Sequence, residues 1–395
     1  MTQFILPILK WIFAFLFSPH SRKRVEKENI MLVSEKGNDA RDNGWHFFKY
    51  VKANHPEIKA YYIITNSSDD RRRLDAYGDS VVEYLSYRHC RLFWQARYLV
   101  GTHLRAGHTP LPYALSYRLN RVLHIYKGKV VANLKHGITK DYLPRMHYSK
   151  TRYDLLVCGA YPEAQYFRSA LGYPQTVAQY TGFCRFDSLH DFQTKRQILV
   201  MPTYRMYLNK ANLDDSLFAQ TYRALLANPA MAEMLERNDA TLVFYPHHKF
   251  QPYVEEFRHR CSPRVIVADQ AHYDVQQLLK ESALLVTDYS SVFFDFAYMG
   301  KPMIFFQFDY DEYRRRHFQS GYFDYGESFG PVAGDMEALL RATEHYLQND
   351  FSMESVYKDR IAEYFPKRDK ENCKRVFEAI AKCAKTTEKT KREIR

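Results

Sequence analysis

Five stretches of this chain carry side chains suited to anion or proton chemistry, and each follows an apolar run. "NLKHGITK" (133–140) sets His136 beside Gly137. An imidazole has its ordinary pKa near operating pH, so His136 could take a proton as a general base; the plainer alternative is a loop histidine held by hydrogen bonds. Gly137 permits close backbone approach to a ligand, and Lys140 could meet phosphate or merely solvent. "TGFCRFD" (181–187) places Thr181–Gly182 at the end of another apolar run. "MPTYR" (201–205) offers Arg205, whose planar fork suits phosphate or, alternatively, a structural ion pair. "FYPHHKF" (244–250) sets His247 against His248, with no carboxylate or cysteine at ligand spacing, so metal binding is discounted. "TDYSSVFFDFA" (287–297) is the strongest signal. Ser290 or Ser291 is expected to cap the following helix, where free amides and hydroxyls together would receive a phosphate. Asp295 lies four residues after Ser291, on the same helical face, where it could accept hydrogen bonds from a ribose or orient a cation. A plain capped helix with Asp295 as an ordinary surface acid is the competing reading. Neither GxxxxGK[ST] nor a strand-linked GxGxxG occurs.

The elements that must position these residues alternate. Apolar strands are expected at 30–35, 60–65, 81–86, 97–102, 130–137, 154–160 and 177–183, with helices between several of them, such as 42–53 and 161–171. A second series follows, with strands at 197–205, 240–248, 264–270, 283–291 and 302–309 and helices at 214–237, 272–281, 292–299 and 335–348. Short apolar strands alternating with helices indicate parallel sheets covered on both faces. The basic stretch 185–196 reads as the linker. The expectation is an α/β chain of two Rossmann-like, doubly wound domains facing a cleft. Its divisions are an N-terminal segment (1–27), a first domain (28–184), a second domain (185–385) and a basic tail (386–395). In such sheets ligands bind beyond the carboxyl ends of strands, where the polar residues fall.

Composition narrows the classes. The 395 residues suit two domains, and 46% hydrophobic residues exclude wholesale disorder. With 57 basic and 45 acidic residues the formal charge is +12, which favours anionic partners without choosing among them. Six scattered cysteines with no CxxC pair argue against a zinc site or disulfide framework and fit a reducing compartment. Phe4 to Phe17 is apolar apart from Lys10, too short for an ordinary spanning helix, and is followed by Arg22, Lys23 and Arg24. That order suits an interfacial anchor with basic residues at anionic headgroups; a core helix of the first domain is the alternative.

Taken together, "KHGITK", "TGFCRFD", "MPTYR", "YPHH" and "TDYSSVFFDFAYMGKPMIFF" resemble, in order, the CDP-glycerol glycerophosphotransferases, the family of teichoic acid primases and polymerases. The resemblance spans roughly residues 130–325. It implies a GT-B fold with acceptor held mainly by the first domain and nucleotide by the second. It also implies peripheral attachment to the cytoplasmic face of the membrane, and transfer of glycerol phosphate from CDP-glycerol to a hydroxyl with release of CMP. Carried over by motif, His136 becomes the base, and Gly137, Ile138, Thr139 and Lys140 touch the activated phosphate. Arg185, Thr203, Arg205, Tyr245 and Pro246 join the phosphate and nucleotide contacts. His247 offsets phosphate charge, Ser290 and Ser291 hold the pyrophosphate, and Asp295 completes the nucleotide site. Lys135 stands where many members carry an aromatic residue, Cys184 replaces a usual proline, and His248 follows His247 where proline is common.

The expected function is therefore transfer of a polyol phosphate to a membrane-linked acceptor in teichoic acid or capsule-type polymer synthesis. The expected partners are a nucleotide-activated polyol phosphate, a lipid-linked acceptor and an anionic membrane surface. No nucleic acid, bound cofactor or metal site is expected. A GT-B glycosyltransferase using a UDP- or CMP-sugar is the rival enzyme. A membrane-bound scaffold or RNA-binding protein is the non-catalytic rival.

Overall fold

In the computed structural model, residues 2–17, 29–104, 107–111, 113–247, 249–258, 261–316 and 319–393 are described. The chain forms two compact units: residues 1–138, 144–188 and 369–395 make the first, and 139–143 with 189–368 make the second.

The first unit holds one seven-stranded parallel sheet. Its strands are β1 (Ile30–Ser34), β2 (Lys59–Ile64), β3 (Val81–Glu83), β4 (Tyr98–Gly101), β5 (Val130–Asn133), β6 (Leu155–Cys158) and β7 (Ala178–Tyr180), in spatial order β3-β2-β1-β4-β5-β6-β7. β1, β4, β5 and β6 are buried at every position, as continuous Val/Leu runs covered on both faces must be. Strand order reverses between β1 and β4, so β1, β4 and β5 deliver their carboxyl ends to one crevice.

The second unit repeats the plan with six strands. These are β8 (Lys195–Met201), β9 (Thr241–Phe244), β10 (Val265–Val267), β11 (Ser282–Thr287), β12 (Met303–Phe306) and β13 (Val332–Ala333), ordered β10-β9-β8-β11-β12-β13. Its core packs Ile198, Val200, Leu242, Phe244, Leu284, Val286, Ile304 and Phe306 from the sheet against Phe218, Tyr222, Leu235 and Leu339 from the helices. The reversal falls between β8 and β11, beside Thr203 and Asp288.

All twelve expected strands are present; β13, a two-residue edge, was not anticipated. The helix expected at 214–237 is two helices, Leu217–Leu226 and Pro229–Arg237. Pro229 has no amide to donate and disfavours a helical residue before it. Asn228 instead caps the second helix, accepting from the amides of Ala230 and Met231.

The domain boundaries need correction at the C-terminal side. The final helix, Asn372–Glu393, belongs to the first unit, and its backbone runs through most of the expected tail. Asp187 caps it, accepting from the amides of Asn372 and Cys373, both at 2.8 Å, and Arg375 Nε donates to the Thr181 carbonyl at 2.9 Å. Gly182 has φ +75°, and a Cβ there would lie 1.8 Å from Asn372 Oδ1. The Thr181–Gly182 pair therefore serves helix packing rather than a ligand. Residues 139–143, expected in the first domain, join the second unit, where Asp141 bridges to Ser320 and the Tyr142 amide donates to the Gln319 carbonyl at 3.0 Å.

The N-terminal helix, Thr2–Phe17, has two apolar faces with different fates. Trp11 and Ala14 are buried against helix Tyr87–Gln95, where Trp94 lies 4.7 Å from the Trp11 ring and donates to its carbonyl. Leu6, Leu9, Phe13, Leu16 and Phe17 remain exposed. The basic cluster Arg22–Arg24 lies outside the described residues. Among the described residues, no helix is long and apolar enough to cross a membrane.

Candidate functional site

In the first unit the chain leaves β5 through Leu134, Lys135 and His136. Lys135 adopts a left-handed backbone, φ +56°, which is costly for a residue with a Cβ. Its surroundings hold it there. Asn133 Oδ1 accepts the Lys135 amide at 2.7 Å, and Asn43 Nδ2 donates to its carbonyl at 2.8 Å. The buried ammonium pairs with Glu163, which also accepts the Gly159 amide at 2.8 Å. This ion pair accounts for a lysine where an aromatic residue is usual: the stem lies over Phe167, with Nζ 4.6 Å from the ring centre. The strained turn carries His136 out to an exposed position.

His136 stacks on His103, which follows β4, with ring centres 4.4 Å apart and planes within 7°. Thr102 Oγ1 bonds the His103 ring at 2.8 Å. The protein packed around His136, and then the charges of Lys135, Lys36 and Arg185, lower its pKa to about 4; a hydrogen bond to the Thr102 backbone opposes this. Burial and His136 itself push His103 down as well. Two stacked imidazoles among cations do not share protons readily, so both are neutral near pH 7. His103 was missed in the sequence, although it follows a strand end as His136 does.

Arg185 does not fill the phosphate role implied by its motif. It pairs with Asp42 at 2.8 Å and donates to the His136 carbonyl at 3.1 Å, lying over Phe183 and Phe186. Its amide donates to Asn43 Oδ1 at 3.0 Å. Arg185 and Asn43 thus brace the His136 loop. Ile138, expected at the phosphate, is only 3% exposed, its side chain part of the core.

The anion site usual at the first strand–helix turn of such a sheet is filled by the chain itself. Glu35, just after β1, accepts the amides of Arg41, Asp42 and Trp45 at 3.0, 3.1 and 2.7 Å, at the start of helix Asn43–Asn54. Burial and Asp42 raise its pKa against these bonds. A carboxyl group of the chain occupies the place where a phosphate would otherwise sit.

In the second unit Arg205 is wholly buried, contrary to the expected phosphate contact. It pairs with Asp288 at 2.8 Å and Asp309 at 2.7 Å, donates to the Thr203 carbonyl, and lies against the rings of Phe218, Tyr289 and Tyr313. Asp288 Oδ1 accepts the amides of Thr203 and Tyr289, at 2.8 and 2.5 Å. Arg205 and Asp288 therefore lock the ends of β8 and β11 together and set the following serines. Ser290 and Ser291 are half-buried. Neither is the helix cap: Val292 holds that position before the short helix Phe293–Tyr298, and Ser290 Oγ accepts the Val292 amide at 3.4 Å. Asp295 is no surface acid, being 5% exposed. The Thr203 hydroxyl is buried without a partner among the described residues. Beside it, Tyr204 stacks on His247, 5.6 Å between ring centres, with Lys249 Nζ 4.3 Å from the Tyr204 ring. Tyr245 and Pro246 are buried, and Gln251 donates to the Pro246 carbonyl. His248 lies outside the described residues. Gly137 and Thr139 are half-buried, the first in the first unit and the second in the other. Lys140 is 4% exposed and paired with Asp141, so it too is turned from the expected phosphate.

The profile of the CDP-glycerol:poly(glycerophosphate) glycerophosphotransferases matches residues 15–382. The chain belongs to that family. Among curated relatives it is 29% identical over 375 residues to the minor teichoic acid biosynthesis protein GgaB of Bacillus subtilis (strain 168), covering 90% of this chain and 40% of that one. It is 24% identical over 366 residues to the teichoic acid poly(glycerol phosphate) polymerase of the same organism, covering 86% and 46%. The chain therefore spans less than half the length of these two relatives. Among solved structures, the wall teichoic acid polymerase TagF superposes with TM-score 0.64 at 17% identity, covering 95% of this chain and 93% of that one. A putative UDP-N-acetylglucosamine 2-epimerase from Listeria monocytogenes superposes with TM-score 0.57 at 14% identity, covering 89% and 96%. These likenesses show a GT-B-like fold.

Proposed function

We propose that this protein transfers glycerol phosphate, or a related polyol phosphate, from CDP-glycerol to a hydroxyl of a membrane-linked acceptor, releasing CMP. The acceptor oxygen attacks the phosphorus bearing glycerol. The bond from that phosphorus to the CMP oxygen breaks, and the hydroxyl proton passes to His136. The observation that carries the reading is the neutral, exposed His136 imidazole, stacked on His103 on a braced loop, in a chain of this family. A neutral acceptor nitrogen is the form a general base needs. Ser290, Ser291, Thr203 and His247 are the second-unit side chains this reading assigns to the donor's phosphates, since Arg205 and Lys140 of that unit are paired with carboxylates. Catalysis rests on positioning and charge stabilisation. The exposed face of the N-terminal helix supports peripheral attachment to an anionic membrane, with the lipid-linked acceptor reached there.

The experiment is incubation of purified protein with CDP-glycerol, CDP-ribitol and UDP-sugars on a lipid-linked acceptor. CMP release that depends on acceptor and on a CDP-polyol is expected. Release of UDP alone would move the protein to the glycosyltransferases, and release of neither would remove the transferase reading.

A further inference from the structure

The second unit contains a cavity of about 650 Å³ beyond β12 that none of the motif residues lines. Its walls include Gln307, Tyr310, Arg314, Ser320, Asp324 and Tyr325. Two features mark it as built for a ligand. The Tyr325 hydroxyl is buried with no hydrogen-bond partner among the described residues, although the residue is only 6% exposed. A buried hydroxyl without a partner costs free energy that a ligand atom would recover. Arg314 Nε is likewise buried and unpartnered among the described residues, while Nη1 pairs with Asp141 at 3.0 Å.

Charge and shape narrow the ligand. Asp141 is shared between Arg314 and Lys140, whose Nζ is 2.5 Å from it, so these three groups carry one net positive charge at the inner wall, while the Asp324 carboxylate stands at the exposed side. Lys140 Nζ and the Arg314 guanidinium lie 5.7 and 5.9 Å from the Tyr325 ring centre. Phe323 and Tyr325 meet at 85°, so these walls present no parallel pair of faces to sandwich a nucleobase. Tyr rings beside a carboxylate and an amide suit a carbon chain bearing hydroxyls. Asp324 stands exposed and Gln307 half-committed, its amide 3.4 Å from the Asp288 carbonyl.

We propose that this cavity binds a polyol phosphodiester unit, its single negative charge meeting Arg314 and the Tyr325 hydroxyl and its polyol lying on the tyrosine rings. This rests on the transferase reading above and assigns to that reaction a subsite for the polyol-phosphate product or acceptor, separate from the nucleotide.

The test is calorimetric titration of the full chain with glycerophosphoglycerol, inorganic phosphate, CMP and CDP-glycerol. Two variants accompany the wild type. Tyr325→Phe removes one oxygen and keeps the ring. Val332→Phe narrows the cavity from the exposed edge of β13. Glycerophosphoglycerol is expected to bind the wild type and to weaken roughly tenfold or more in Tyr325→Phe, the loss of a hydrogen bond to a charged group, and in Val332→Phe, while CMP affinity holds. Unchanged glycerophosphoglycerol affinity in both variants overturns the proposal. So does a parallel loss of CMP affinity, which would make the cavity a nucleotide site, or equal affinity for inorganic phosphate, which would make it an anion site without polyol recognition. Failure of CDP-glycerol to bind the wild type would overturn the donor assignment alone, because glycerophosphoglycerol reports on the cavity independently.

Discussion

His136 and Arg205 looked alike in sequence, each a polar residue at a strand end, and the structure gives them opposite work. His136 is exposed and neutral, so His136→Ala should lower single-turnover rate by about a hundredfold or more while CDP-glycerol still binds, because a general base contributes roughly 10²–10⁴. Its pH dependence has a direction. The free protein holds the imidazole near pKa 4 through the protein packed around the ring and neighbouring cations. A bound diphosphate adds negative charge and must raise that value. The base is lost as pH falls through its pKa, so the acid limb of kcat should lie at higher pH than the acid limb of kcat/KM. Coincident limbs would place the titrating group away from the phosphates. Arg205 neutralises two buried carboxylates. Arg205→Ala should therefore destabilise the second unit by about 3–5 kcal/mol, read in urea denaturation, rather than weaken nucleotide binding in an intact fold.

At the scale of elements, helix Tyr87–Gln95 shows how one residue holds a turn and tunes stability. His89 is buried at 0% exposure; its Nδ1 accepts the Leu85 amide at 3.2 Å and its Nε2 meets the His108 carbonyl at 3.1 Å. Both nitrogens are used only in the neutral Nε2-protonated tautomer. Burial lowers its pKa to about 4, below the ordinary value of 6.5. The unfolded chain thus takes a proton that the folded one refuses, and stability should fall as pH drops from about 6.5 toward 4. His89→Gln should cost about 1–3 kcal/mol at neutral pH and give a shallower acid slope in thermal melts. A slope equal to wild type would assign the acid loss to other groups. The N-terminal helix divides its tasks by face. Leu9→Glu with Leu16→Glu alters only exposed positions, so binding to anionic vesicles should drop with the melting temperature unchanged. Undiminished pelleting with vesicles would remove the helix as the anchor.

At the scale of the whole chain, the final helix decides what counts as a unit. Truncation after Arg368 should unfold or strongly destabilise the first unit, since it strips Asp187 of its amides and removes Phe377 from the His55 ring, 3.5 Å away between centres. The check is limited proteolysis: cleavage should accelerate within 29–138 and 144–188 and not within 195–366. The sequence by itself determined the two parallel sheets, twelve of the thirteen strands and the strand-end placement of His136, Thr203, His247 and Ser290. Local patterning suffices there, because a strand buried on both faces must be apolar and its ligand-facing end need not be. The tertiary structure alone decided which of the polar candidates are committed to ion pairs. Arg185, Arg205 and Lys140 have the same side-chain chemistry whether they meet a phosphate or a carboxylate, and their partners Asp42, Asp309 and Asp141 were set by folding rather than by motif. Likewise, nothing local marks Asp187 as the cap of a helix 185 positions away. The loop joining Thr139 to Leu143 also gives no local sign that it belongs to the second unit, because such pairings are closed by long-range hydrogen bonds that leave no periodicity to read.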